Sequence, residues 1–99
     1  MNLHSLWDNG FVELEEGTPA EIASQIEEAV TDDDRKQWQG STPEQWALES
    51  LAIVRAQVYR LPASGEINPS YIERARTVIR TRLAQSGARL ASVLNDLMR

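Results

Sequence analysis

Apolar residues recur along this chain at intervals of three or four, not in the strict alternation of a half-buried strand, so the pattern predicts helices from end to end. Leu3, Trp7, Phe11 and Leu14 hold that spacing in a first segment from Asn2 to about Glu16; Asn9-Gly10 is its weak point, where a kink is expected, and Gly17 closes it. Thr18-Pro19-Ala20-Glu21 reads as a helix start, with Thr18 as N-cap, Pro19 at the first helical position and Glu21 placed to complete a capping box. That helix runs to about Val30 on an apolar face of Ile22, Ile26, Ala29 and Val30, and Asp32-Asp33-Asp34 then reads as a solvated connector or a short helix start.

Thr42-Pro43-Glu44-Gln45 repeats the same start grammar and launches Trp46, Ser50, Val54 and Val58, with Leu51 and Ile53 alongside, toward an end near Arg60, before Leu61-Pro62. Asn68-Pro69 caps an unusually long last helix in which Tyr71, Ala75, Val78, Ile79, Leu83, Leu90, Leu94 and Leu97 form the apolar repeat. Gly87 interrupts that repeat at a cost of about 1 kcal/mol relative to alanine, which predicts either a kink there or, the preferred reading, a close approach of a neighbouring backbone. The fold class that follows is all-α, four helices with a long last one, in a single unit over residues 1–99 with no internal boundary.

A 99-residue chain with 41% hydrophobic residues supports one modest core. The absence of cysteine excludes disulfides, thiolate metal sites and thiol nucleophiles, and leaves the compartment open. The opening residues carry no basic, apolar leader pattern and no stretch is long and apolar enough to span a bilayer, so neither a signal peptide nor a membrane is expected of the chain as written. Its net charge of -5 argues against a dedicated basic nucleic-acid surface. The charge is uneven: residues 1–50 are acidic apart from Arg35 and Lys36, and residues 51–99 are arginine-rich, which predicts helices of opposite sign side by side with solvated, loosely paired faces. Adjacent carboxylates such as Glu15 and Glu16, or Glu27 and Glu28, point to different sides of a helix and read as solvated surface. The tryptophans read as packing residues, with Trp7 the exception because of its neighbours.

Those neighbours carry the chemistry. His4, the one histidine, lies four residues before Asp8, and on a helix this spacing stacks imidazole and carboxylate on one face within reach of a single ion. Zinc accepts both ligand types. Taken alone, such a pair is more often an ordinary surface contact. No second histidine, cysteine or glycine-rich phosphate loop offers another catalytic set.

The segment Asn2-Leu3-His4-Ser5-Leu6-Trp7-Asp8 resembles the N-L-H-x-x-W-D stretch of the S1/P1 family of zinc-dependent single-strand nucleases. Trp46-Ala47-Leu48-Glu49-Ser50 is similar to that family's W-A-x-E-S, and Ala84-Gln85-Ser86-Gly87-Ala88-Arg89-Leu90-Ala91, followed by Leu94-Asn95, resembles its last helix. The resemblance spans essentially the whole chain and implies the C-terminal part of the phospholipase C/P1 nuclease fold. It also implies a cluster of three zinc ions that hydrolyses phosphodiester bonds of single-stranded DNA or RNA and 3′-nucleotides, with His4 and Asp8 matching two ligands of one zinc and Ser5 or Asn9 placed to orient the histidine ring. The related zinc phospholipases C resemble a pattern with glutamate at the second position, so Asp8 leans toward nuclease.

The family's other ligands, its N-terminal tryptophan among them, have no counterpart in this chain. The expectation is therefore a fragment of such an enzyme, inactive alone, with the upstream portion or a second copy as partner and a secreted or periplasmic setting for the complete protein. Base preference is not encoded in these residues. The alternative is a self-associating helical interaction module without catalysis.

Overall fold

The structure, a computed structural model, describes residues 3–61 and 66–98. Every element among them is helical. Helix α1 covers residues 3–13, α2 is Pro19–Glu28, α3 is Asp32–Gln39, α4 covers residues 43–58 and α5 is Pro69–Leu97. The fifth helix beyond the expected four is α3, two turns grown from the acidic triplet. Thr31 Oγ1 accepts from the Asp34 amide at 3.0 Å while the Asp34 carboxylate accepts from the Thr31 amide at 3.1 Å, a reciprocal cap that also places three negative charges at the helix's positive end.

The other helix starts follow their sequence signals. Thr42 and Gln45 close the expected box at 2.8 and 3.3 Å, and Asn68 Oδ1 accepts from the Tyr71 amide at 2.9 Å to start α5. At Thr18 only half of the predicted box forms: its hydroxyl accepts from the Glu21 amide at 3.2 Å, while the Glu21 side chain instead lies over Gly17. Asn2 and Pro62, named at two predicted helix boundaries, lie outside the described residues.

Two helices depart from regular winding. Between Leu6 and Gly10 the backbone widens to an i→i+5 turn, closed by the Phe11 amide donating to Leu6 O, at the Asn9-Gly10 weak point foreseen from the sequence. A second wide turn, Val54–Val58, ends α4 and is closed by the Tyr59 amide on Val54 O at 3.3 Å.

The described residues fall into two compact units. The first comprises residues 1–15 and 42–79, hence α1, α4 and the opening of α5. Phe11, Tyr71, Ala75 and Ile79 are its buried core, with Leu3, Leu6, Trp7, Ile67 and Ile72 packed against them. Trp7 packs edge on against both other rings of the aromatic trio: Trp7 and Phe11 have centroids 5.3 Å apart at 82°, and Trp7 and Tyr71 6.3 Å apart at 82°. Leu14, expected on the buried face, is exposed because α1 ends before it.

The second unit comprises residues 16–41 and 80–99. Ile22, Ile26, Val30 and Trp38 are half-buried, and Ala29, expected beside them, is exposed. Arg89 is the buried polar side chain; its guanidinium donates to Trp38 O at 3.4 Å, a cation at the carbonyl end of α3. Gln39 returns the tie by donating to Ala88 O at 3.2 Å. The leucines beyond Ile79 depart from expectation: Leu83, Leu90, Leu94 and Leu97 are all exposed, Leu97 to 76%. Their spacing put them on one face; among the described residues nothing covers it.

The two glycines with predicted roles separate here. Gly17 has φ +108°, a left-handed conformation that side chains rarely adopt, and a Cβ added there would sit 3.3 Å from Glu21 Oε2. Gly87 lies within the uninterrupted α5, and a Cβ added to it would meet nothing within 4 Å, so no neighbouring backbone approaches as the sequence suggested. The expected outcome is opposite in sign. Gly87→Ala raises stability by about 1 kcal/mol through helix propensity, and Gly17→Ala lowers it by roughly 1–3 kcal/mol through backbone strain. Thermal unfolding of the two variants checks both.

Candidate metal centre

His4 and Asp8 project from α1, His4 just before the wide turn and Asp8 inside it. His4 Nε2 lies 2.9 Å from Asp8 Oδ2, and the side chains are 83% and 65% exposed. The i,i+4 reading is thus realised in space: one imidazole nitrogen and one carboxylate oxygen converge on a solvent-facing patch. As it stands this is a direct contact; two ligands at about 2.0–2.2 Å from a tetrahedral zinc sit roughly 3.3–3.6 Å apart, so the pair would open slightly to admit an ion. Among the described residues no group of three or more His, Cys, Asp or Glu side chains comes together to hold a metal ion. Ser5 is half-buried and Asn9 exposed.

The flank of the same helix packs into the core. Trp7, expected to stand apart from the packing residues, is half-buried against Phe11 and Tyr71, and its indole N–H donates to the Tyr71 hydroxyl at 2.9 Å. Trp7, three residues after His4, lies on the flank of the His4/Asp8 face, and its ring packs into the core. The Tyr71 hydroxyl in turn donates to Val58 O at 2.5 Å, and the Arg74 guanidinium sits 5.7 Å from the Tyr71 ring centroid. Sequence reasoning placed Tyr71 in the apolar repeat of α5 and missed its hydroxyl, the part that touches the motif helix.

Glu15, read as solvated, has a side chain only 2% exposed and lies 3.7 Å from an Arg76 guanidinium nitrogen. Arg76 also reaches Glu73 at 3.3 Å. This pair joins the segment after α1 to α5 and corrects the expectation of loose pairing between the acidic and basic halves: here the carboxylate is out of water, where losing its partner is costly. Other arginines also reach neutral acceptors. Arg74 donates to Arg60 O at 3.4 Å, Arg80 to the Gln25 amide oxygen at 3.2 Å and Arg82 to the Gln85 amide oxygen at 2.9 Å, while Arg35 pairs with Glu27 inside the acidic half.

A groove of about 280 Å³ belongs to the second unit, lined by Ile26, Val30, Trp38, Asp34 and Arg80 among others, and includes neither member of the His4/Asp8 pair. Among the described residues no helix is long and apolar enough to cross a membrane. Set against known proteins, residues 1–99 match the family described as S1/P1 Nuclease. No curated protein and no solved structure matches the chain.

Proposed function

Because the chain belongs to the S1/P1 nuclease family, we propose that it supplies part of a zinc-dependent endonuclease site hydrolysing phosphodiester bonds of single-stranded DNA or RNA, and 3′-nucleotides. In this reading His4 Nε2 and an Asp8 carboxylate oxygen are ligands to one of three zinc ions, and the helices behind them form a packing wall. The observation that carries it is the 2.9 Å approach of those two atoms on an exposed helix face, within the segment that resembles the family's motif. When bound, such a cluster supplies an activated water and positive charge for the developing oxyanions. His4 coordinates as the neutral imidazole. Ser5 and Asn9 are the candidates for orienting that ring.

Two protein ligands leave most of a zinc coordination shell to water, so the chain alone is inactive, and activity requires a polypeptide that brings the remaining ligands. The test is hydrolysis of single-stranded DNA with added zinc, by the chain alone and mixed with such an upstream portion. Turnover only in the mixture supports the reading. A mixture that forms a complex and binds zinc yet does not cleave would refute it. The complete protein is read as secreted or periplasmic, acting on nucleic acid rather than on a membrane.

One observation favours a second reading, self-association without catalysis: Leu83, Leu90, Leu94 and Leu97 present an exposed apolar stripe on α5, a surface that tends to be covered by a partner or another copy. The expected result is a dimer or larger species by light scattering, shifting toward monomer when Leu90 and Leu94 are replaced with glutamine. A compact monomer that binds no hydrophobic dye removes this reading.

A further inference from the structure

The two wide turns of this fold meet at one atom. Trp7 sits in the turn Leu6–Gly10 and Val58 ends the turn Val54–Val58, and both bond to the Tyr71 hydroxyl, which accepts from Trp7 Nε1 at 2.9 Å and donates to Val58 O at 2.5 Å. Tyr71 is 1% exposed, so neither bond has water as a ready substitute. An i→i+5 turn winds differently from the helix on either side, so a group bonded to it bears on how that stretch lies. Winding between positions 4 and 8 also sets how far one donor of the metal-type pair is rotated from the other. We propose that the Tyr71 hydroxyl is a positioning group that clamps both wide turns and thereby sets the bearing of His4 relative to Asp8.

The clamp itself is independent of any metal; its consequence for zinc rests on the proposed nuclease reading. The clamp explains why a tyrosine, rather than another apolar residue, occupies this place in the α5 repeat. It also assigns Trp7 a part distinct from packing, since a phenylalanine there would retain much of the ring contact and lose the N–H.

Amide hydrogen exchange and zinc titration calorimetry on Tyr71→Phe, Trp7→Phe and His4→Ala test this together. In Tyr71→Phe the Phe11 and Tyr59 amides, which close the two wide turns, should exchange at least about tenfold faster, while the Gly40 amide, bonded to Lys36 O in the second unit, stays near its original rate. Trp7→Phe should accelerate Phe11 much more than Tyr59. Zinc affinity in Tyr71→Phe should fall by about tenfold, in the range associated with losing an orienting partner. Unchanged exchange at Phe11 and Tyr59, or equal acceleration at Gly40, overturns the clamp. Exchange that responds while zinc affinity holds, in a chain whose binding depends on His4, overturns the aiming role. Equal zinc binding by wild type and His4→Ala refutes the nuclease reading instead, and the clamp is still decided by exchange.

Discussion

Replacing His4 with alanine is expected to reduce zinc affinity by more than the roughly 10- to 100-fold that follows loss of an outer partner, and to abolish zinc-dependent cleavage in the mixture with an upstream portion. His4 is the only imidazole in the chain, its Nε2 faces the Asp8 carboxylate at 2.9 Å, and the ring is 83% exposed, so the substitution removes a donor without opening a cavity in the core. The melting temperature should hardly move, because an exposed i,i+4 contact contributes little to stability. Loss of metal binding at unchanged stability is the signature of a ligand. Asp8→Asn gives a companion result: side-chain size is kept, the anionic donor is lost, and affinity falls in the same direction. Titration calorimetry with zinc, alongside thermal unfolding in its absence, reads both quantities; unchanged zinc affinity in His4→Ala would falsify the ligand assignment.

Phe11→Ala has the largest expected effect on the fold. Phe11 is 1% exposed, packs against Trp7 and Tyr71, and begins the last regular part of α1 after the wide turn. Truncating a buried phenylalanine costs about 3–5 kcal/mol, a large share of the roughly 5–15 kcal/mol that stabilises a folded domain. The variant's first unit should therefore unfold at a much lower denaturant concentration. Leu97→Ala, on the same scale, should cost almost nothing, because Leu97 is 76% exposed and has little burial to lose. Denaturant unfolding followed by circular dichroism compares them. Similar losses for the two variants would mean that the core is not where the structure puts it.

What was readable in advance was what depends on near neighbours. The Thr42/Gln45 cap and the Asn68 cap span three residues, and the His4/Asp8 pairing spans four, so chain geometry alone predicts each. Local grammar left one point open: the acidic triplet read as a connector or a short helix start, and the box its third member completes with Thr31 decides for the helix. Contacts made across the sequence left no such trace. Tyr71 joins Trp7 across 64 positions, and the burial of Glu15 depends on an arginine in α5. Periodicity places Leu83, Leu90, Leu94 and Leu97 on one face, but it carries no information about what covers that face, and here they are exposed. The metal-type pair was legible as chemistry, and its support was not.

The wide turn in α1 holds one residue more than an ordinary turn, because its hydrogen bond closes i→i+5 rather than i→i+4. Deleting a single residue between Leu6 and Gly10 would therefore let regular winding close across the same span, with His4 and Phe11 keeping nearly the same bearing. A residue added to a regular turn without such a bulge would instead swing everything before it by about 100°. The stretch can thus lose a residue more readily than it can gain one.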